Sequence, residues 1–365
     1  NNTFIGNEAG LGTSSAPYSS GESNVAVGFE ALKNFTTGAT NVAVGSYSLD
    51  AITTGYANVG IGYYAGSDLT TGIRNVIIGQ NAGLYETNNF NTYMGYEAGR
   101  GSSSGNASNT YNVGIGYQAL KSVRAATQNV AVGHGAGASM DEGDYNVLLG
   151  PAAGTAITDG ASNVVIGRAA GETMTTTGQT VLIGASAGND INSTDADGTI
   201  LIGSQAGKYI NSGIGNTAVG FETLTNEDDG DYSTAVGYQA LSLQTGTSGE
   251  VGNSGFGYQA GYAMTTGTYD SLFGYKAGRN LNGGYRNTIL GARALENSDE
   301  GHTLVAIGFD AMRFTEAGNQ SVAVGQAALE YWSRDNNTST HTTAIGDTAG
   351  KYTTGSYNTF VGSAA

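Results

Sequence analysis

A five-residue pattern of Asn, apolar, small or apolar, apolar and Gly runs through this chain 21 times, mostly at steps of 17 residues. Asn41, Val42, Ala43, Val44 and Gly45 form one copy; the first opens at Asn2 and the last at Asn358. The fourth position is apolar and the fifth is Gly in every copy. Fixed-period self-similarity is the signature of a solenoid, in which each repeat contacts only its neighbours. Such an array needs no internal boundary, so residues 1–365 read as one repetitive domain.

Five residues with β-branched content suit a short strand. Side chains alternate along a strand, so the second and fourth positions (Val25 and Val27) share one face and the third (Ala26, Ala43, Ala131) takes the other. The repeat glycines, among them Gly28, Gly45, Gly62, Gly133, Gly237 and Gly325, permit a bend or a close backbone approach. The eighth position is Ala in all copies but those with Ser48 and Thr223, which marks tightly stacked layers. The ninth is mostly Gly or Leu, which predicts two turn geometries, with Gly left-handed and Leu turned inward. An apolar plug follows (Phe35, Ile52, Leu69, Met140), then Thr-Thr-Gly as in Thr36, Thr37 and Gly38, a turn whose Gly is expected at positive φ.

Each repeat therefore reads as one coil of an all-β parallel β-solenoid, a β-roll of about 21 coils. At ~4.8 Å per coil that is roughly 100 Å. Two readings of the recurrent Asn stay open: a ladder of amides bonded from coil to coil, or local closure of a turn. Leu304 interrupts the row.

Composition narrows the function. Formal net charge is −16, with no basic run, which excludes the clustered cations that nucleic acid requires. The absence of Cys removes disulfides and thiolate chemistry. No apolar run reaches the ~18 residues of a membrane span. The chain starts and stops inside the repeat, so a segment of a longer extracellular fibre is expected.

Ser321, Val322, Ala323, Val324 and Gly325 resemble the signature of the head domains of trimeric autotransporter adhesins. The longer form, as in Asn216 to Gly220 and Ala235 to Leu241, is similar to repeats of bacteriophage tail fibres and related bacterial fibre proteins. The likeness covers essentially the whole chain. It implies a left-handed β-roll, three identical chains around one axis, and attachment to a host or surface; fibres of this kind often end in a self-cleaving chaperone domain. The 17-residue coil is longer than that of the adhesin heads, so their trimer contacts do not transfer in detail. The residues lend support of their own. A thin coil uses one strand face, and the other, a flat Ala/Gly strip, would be an exposed apolar band unless copies cover it.

Insertions in a solenoid go to surface loops, often on the binding face. The longer steps fall near residues 11–20, 101–111, 190–198, 244–252 and 331–341. The richest holds Tyr331, Trp332, Arg334, Asp335 and His341, a candidate site for a cell-surface glycan or protein receptor, or a solvated bulge whose Trp covers the next coil. The sixth position carries a row of aromatics, including Phe29, Tyr63, Tyr96, Tyr117, Tyr238 and Tyr258, suited to a chain–chain seam or to stacking sugars. The acidic turns at Asp195 to Gly198 and Asn226 to Asp231 lack the full calcium-loop pattern, and no metal or cofactor is expected. His134, His302 and His341 lie in separate parts of the array, and no catalytic motif stands out. The expected class is a structural and adhesive fibre segment, not an enzyme. The alternatives are a polysaccharide-binding module, an end-to-end stacked filament subunit and, remotely, a tailspike-like glycan hydrolase.

Overall fold

The computed structural model describes residues 1–13, 18–103, 108–246, 249–315, 317–332 and 339–365. They form a parallel β-solenoid in two compact units, Asn1–Gln179 and Thr180–Ala365. The first carries ten three-residue strands of the repeat and the second eleven. Within each unit the strands pair in parallel, in register, with the equivalent strand of the next coil: Val42, Ala43 and Val44 lie on Val59, Gly60 and Ile61, and Thr288, Ile289 and Leu290 on Val305, Ala306 and Ile307. In the second unit the Thr-Thr-Gly corner adds a four-stranded parallel sheet, Gly283–Tyr285, Glu300–His302, Ala317–Asn319 and Ser339–Thr340.

The stretch after each strand is also bonded from coil to coil, although its residues are turns rather than strands. Tyr47 N donates to Phe29 O in the coil before, at 2.9 Å, and Leu49 N to Ala65 O in the coil after, at 3.0 Å. Alternation between right- and left-handed residues makes this possible. The seventh and ninth positions sit at φ near +50° to +60° whatever residue occupies them, as at Tyr47 (φ 58) and Leu49 (φ 49). So do residues just before the Asn, such as Thr40 (φ 57) and Arg74 (φ 56). Left-handed non-glycine residues cost roughly 1–2 kcal/mol each, and bonds to both neighbouring coils offset that cost.

This geometry corrects three expectations. The ninth position has one turn conformation, not two: Gly66 (φ 62) and Leu49 (φ 49) share it. The Thr-Thr-Gly glycines, such as Gly38 and Gly55, are not among the positive-φ residues. They are required for closeness instead, since a Cβ on Gly38 would stand 2.6 Å from Gly55 O. Third, the strand is turned over. Its third position points inward, with Ala26, Ala43, Ile77, Leu148 and Leu201 fully buried, while the second and fourth positions face outward and are half-buried or exposed. The coil is narrow, and its interior already holds the buried Asn, the eighth-position Ala, the ninth residue and the plug. That interior takes a small third residue such as Ala43 beside Leu49 and a large one such as Tyr93 beside Gly99.

Inside, the third and ninth positions share one volume. A small third residue faces a large ninth in Ala43 and Leu49 or Ala235 and Leu241, and a large third residue faces Gly in Tyr93 and Gly99 or Leu182 and Gly188. Where both are small, adjacent coils fill the gap: a Cβ on Gly66 would meet Leu49 Cδ2 at 2.8 Å and Ile77 Cδ1 at 3.0 Å. Close packing of this kind makes both overfilling and underfilling costly.

The Asn row is both a ladder and a turn closure. Asn41 Nδ2 donates to Gly55 O within its own coil at 2.9 Å. Its Oδ1 accepts from Asn58 N at 3.0 Å and Asn58 Nδ2 at 3.1 Å. Leu304 N still donates to Asn287 Oδ1 at 2.9 Å, but Leu304 has no acceptor to pass on.

At Asp270 a carboxyl takes the Asn place. Its Oδ1 accepts from Asn287 N at 2.8 Å, and its buried Oδ2 has no hydrogen-bond partner. Burial pushes this carboxyl up to about 7. The folded state thus holds a proton that the unfolded chain releases near 3.8. The stability this contributes is full below that value and is lost as pH rises through about 7. Asp270→Asn restores a donor where Asn253 and Asn287 place theirs, on Gly267 O and Gly301 O at 2.6 Å. The variant is expected to gain on the order of 3 kcal/mol locally at pH 8 and little at pH 4. Hydrogen exchange of peptides spanning 253–301 at the two pH values checks this. Equal protection of wild type and variant at pH 8 refutes it.

Candidate self-association face

The outward strand face is the most unusual surface of the molecule. Its fourth-position ladder in the first unit runs through Val27, Val44, Ile61, Ile78, Met94, Ile115 and Val132, and in the second through Ile202, Val219, Val236, Phe256, Phe273 and Leu290. No charged residue stands at a second or fourth position in any copy. Ile61 is 38% exposed and Leu290 51%. Single exposed apolar side chains are ordinary, but a row without interruption is not.

The invariant glycine after the strand lets these ladders stack. Gly45 lies at φ +126°, and a Cβ there would stand 2.6 Å from Gly62 O in the next coil. Gly28, Gly62, Gly133, Gly237 and Gly325 repeat the arrangement at φ between +133° and +138° or, at Gly133, +141°. Both parts of the sequence expectation hold here, the bend and the close approach.

The sixth-position aromatics flank the strip and stack on one another. Tyr96, Tyr117 and His134 form one column with centroids 5.3 and 5.0 Å apart. Phe221, Tyr238, Tyr258 and Tyr275 form another at 5.3 Å spacing, with planes within 17° of parallel. The inner rings have both faces covered by their neighbours, so they present edges outward. A sugar packs against a ring face, and these columns do not offer one along their length.

The seventh- and tenth-position charges behave differently, because they satisfy each other. Lys33 pairs with Glu8 at 2.7 Å and Glu30 at 3.0 Å, Arg313 with Glu296 at 2.9 Å, and Lys351 with Glu330 at 2.8 Å. Such partly exposed pairs add little stability, but they leave that edge well suited to water.

No known family model, curated protein or solved structure matches the chain.

The candidate loop residues are dispersed. Trp332 is fully buried, with Nε1 3.4 Å from Gly355 O and its ring filling the space a side chain on Gly318 would need. It is a core residue and not a ligand contact, which corrects the receptor-site expectation for it. The reason is volume: the glycine opposite leaves a hole that only a large ring closes. Tyr331 stacks between Phe314 at 5.0 Å and Tyr352 at 5.4 Å. His341 stacks on Tyr357 at 5.0 Å in a separate column. Arg334 and Asp335 lie outside the described residues. Around the acidic turns, Thr194–Ala196 forms one 3-10 turn capped by Ser193, and no group of three or more His, Asp or Glu able to hold a metal occurs among the described residues.

Sequence reasoning missed the strip itself, although a signal was present. Ser occupies the second position only at Ser254 and Ser271, and Phe the fourth only at Phe256 and Phe273, in the same two strands. Thr92 is likewise paired with Met94 and Thr288 with Leu290, where most copies carry two medium-sized residues such as Val42 and Val44. In these four strands a smaller second residue accompanies a larger fourth, although Thr217 with Val219 and Thr234 with Val236 do not follow the same trade.

Proposed function

We propose that this chain is a shaft or head segment of an extracellular fibre, built to pack through its outward strand face against identical chains in a closed homotrimer, and that it serves attachment rather than catalysis. The paired change at Ser254/Phe256 and Ser271/Phe273 carries the reading. Phe256 and Phe273 stack on each other at 4.7 Å, yet Phe273 stays 39% exposed, so the added ring volume is not spent on the chain's own core. Volume matching of that kind is expected where a second surface lies against the first. The absence of charge from the strip supports the same reading, as does the self-satisfied charged edge. Closed rotational symmetry covers such a strip on every copy at once. The number three rests on the resemblance to trimeric adhesin heads and phage fibres, and with it the left-handed coil.

Sedimentation equilibrium of the chain tests the proposal. A mass of three chains, independent of loading concentration over a wide range, is expected. A stable single-chain mass overturns the self-association, and mass that grows without limit with concentration favours an open filament.

A further inference from the structure

We propose that the first unit carries a binding site for a neutral sugar, in a pocket of about 620 Å³ lined by Tyr85, Arg100, Ser122, Arg124, Ser139 and Asp141, with Ser102, Ser103 and Thr158 at its margin. The volume lies in the range of small-molecule pockets. Its origin is a local break in the repeat. The step from Asn91 to Asn112 is 21 residues, and the insertion brings Ser102 and Ser103 to the surface beside the regular coils. In the next coil Arg124 replaces the first Thr of the Thr-Thr-Gly corner. Ser122 and Ser139 occupy the same place in consecutive coils, both exposed.

The chemistry favours hydroxyl groups over charge. Arg124 is already neutralised: Nε donates to Asp141 Oδ1 at 2.7 Å, Nη2 to Asp141 Oδ2 at 2.9 Å, and Nη2 also to Glu142 Oε1. Arg100 Nη1 lies 3.3 Å from Glu97 Oε1, and its guanidinium stands 6.0 Å from the Tyr85 ring centroid. An anion would have to displace these carboxylates on a chain of net charge −16. A neutral polyol needs no carboxylate to leave, because each hydroxyl can add to groups that are already bonded, as the Asp141 oxygens are to Arg124. Serine and threonine hydroxyls both donate and accept, the Asp141 carboxylate accepts, and the guanidinium donates, which matches the mixed demands of vicinal sugar hydroxyls. Tyr85 adds an aromatic wall. All its residues lie within Tyr85 to Thr158 of one chain, so the site is complete without a second copy.

The test uses the full chain and saturation-transfer difference NMR with the methyl glycosides of glucose, galactose, mannose and N-acetylglucosamine at millimolar concentration, and the methyl glycoside of galacturonic acid, its carboxylate free, as the anionic comparator. At least one neutral glycoside is expected to receive saturation, and galacturonate less. Ser139→Trp fills the pocket and should abolish the transfer while the melting temperature holds. Hydrogen exchange of the wild type with the best glycoside should show added protection in peptides covering 100–103, 122–124 and 139–141, a readout that does not depend on the variant folding. Absence of transfer from every neutral glycoside overturns the proposal, as does transfer that survives in a folded Ser139→Trp or protection confined to other coils.

Discussion

Gly237→Val is expected to open the second unit locally, at a cost of about 4 kcal/mol or more, which places it in the tail reserved for a named structural fault. Gly237 sits at φ +133°, a region that side chains rarely adopt, and an added Cβ would run into the Gly257 carbonyl of the next coil. Backbone cannot move aside as a flexible side chain does, so the coil itself must shift. That shift breaks bonds on both sides, including Gly237 N to Val219 O in the coil before and Leu241 N to Ala260 O in the coil after. In an array where each repeat contacts only its neighbours, the damage stays near its origin. Limited proteolysis should therefore cut the variant near residues 230–245 and leave the first unit resistant. Val236→Ala is the control. Val236 faces outward and is only half-buried, so its loss should cost under about 1 kcal/mol to the single chain. Equal protease resistance of the two variants would show that the coil can absorb a Cβ at this position.

Four acidic substitutions along the outward ladder, Val236→Asp, Phe256→Asp, Phe273→Asp and Leu290→Asp together, should reduce the sedimenting species from three chains to one. In a symmetric assembly each layer would bring identical carboxylates together in a surface that excludes water, where unpaired charge is strongly unfavourable. The matched control places the same number of charges on the Thr-Thr-Gly corner, at the exposed Thr54, Thr71, Thr176 and Thr266. That variant carries the same net charge and should keep the full mass. Dissociation of both would point to general charge repulsion. Retention of mass by the ladder variant would move the seam to another face. Either result separates the choice of face from the existence of the oligomer.

The repeat alone determined the architecture. Asn at the first position, Gly at the fifth and Ala at the eighth recur because stacking coils at the inter-strand spacing leaves no room for other sizes or polarities there. Period, strand position and the plug residues were legible for the same reason: each is a constraint that every coil must meet separately. The Asn row was legible as a polar device, but the sequence left ladder and turn closure as alternatives, and the fold uses both. Which strand face looks inward was not legible. Val/Ile on one side and Ala/Gly on the other are both apolar, and alternation separates the faces without ranking them. Only the closed coil decided it: the third position turns toward the buried Asn, Ala and plug residues, seating Ala43 inside and leaving Val42 and Val44 half-buried. The left-handed residues at the seventh and ninth positions were hidden because residues such as Tyr47 and Leu49 carry no glycine signal for them. Coil-to-coil hydrogen bonds, which exist only after the neighbours have stacked, hold them there. Trp332 shows the same limit at one residue. In sequence it is an aromatic in a long loop beside charges, and in the fold it fills the hole opposite Gly318, a residue 14 positions away that only the winding of the coil brings near.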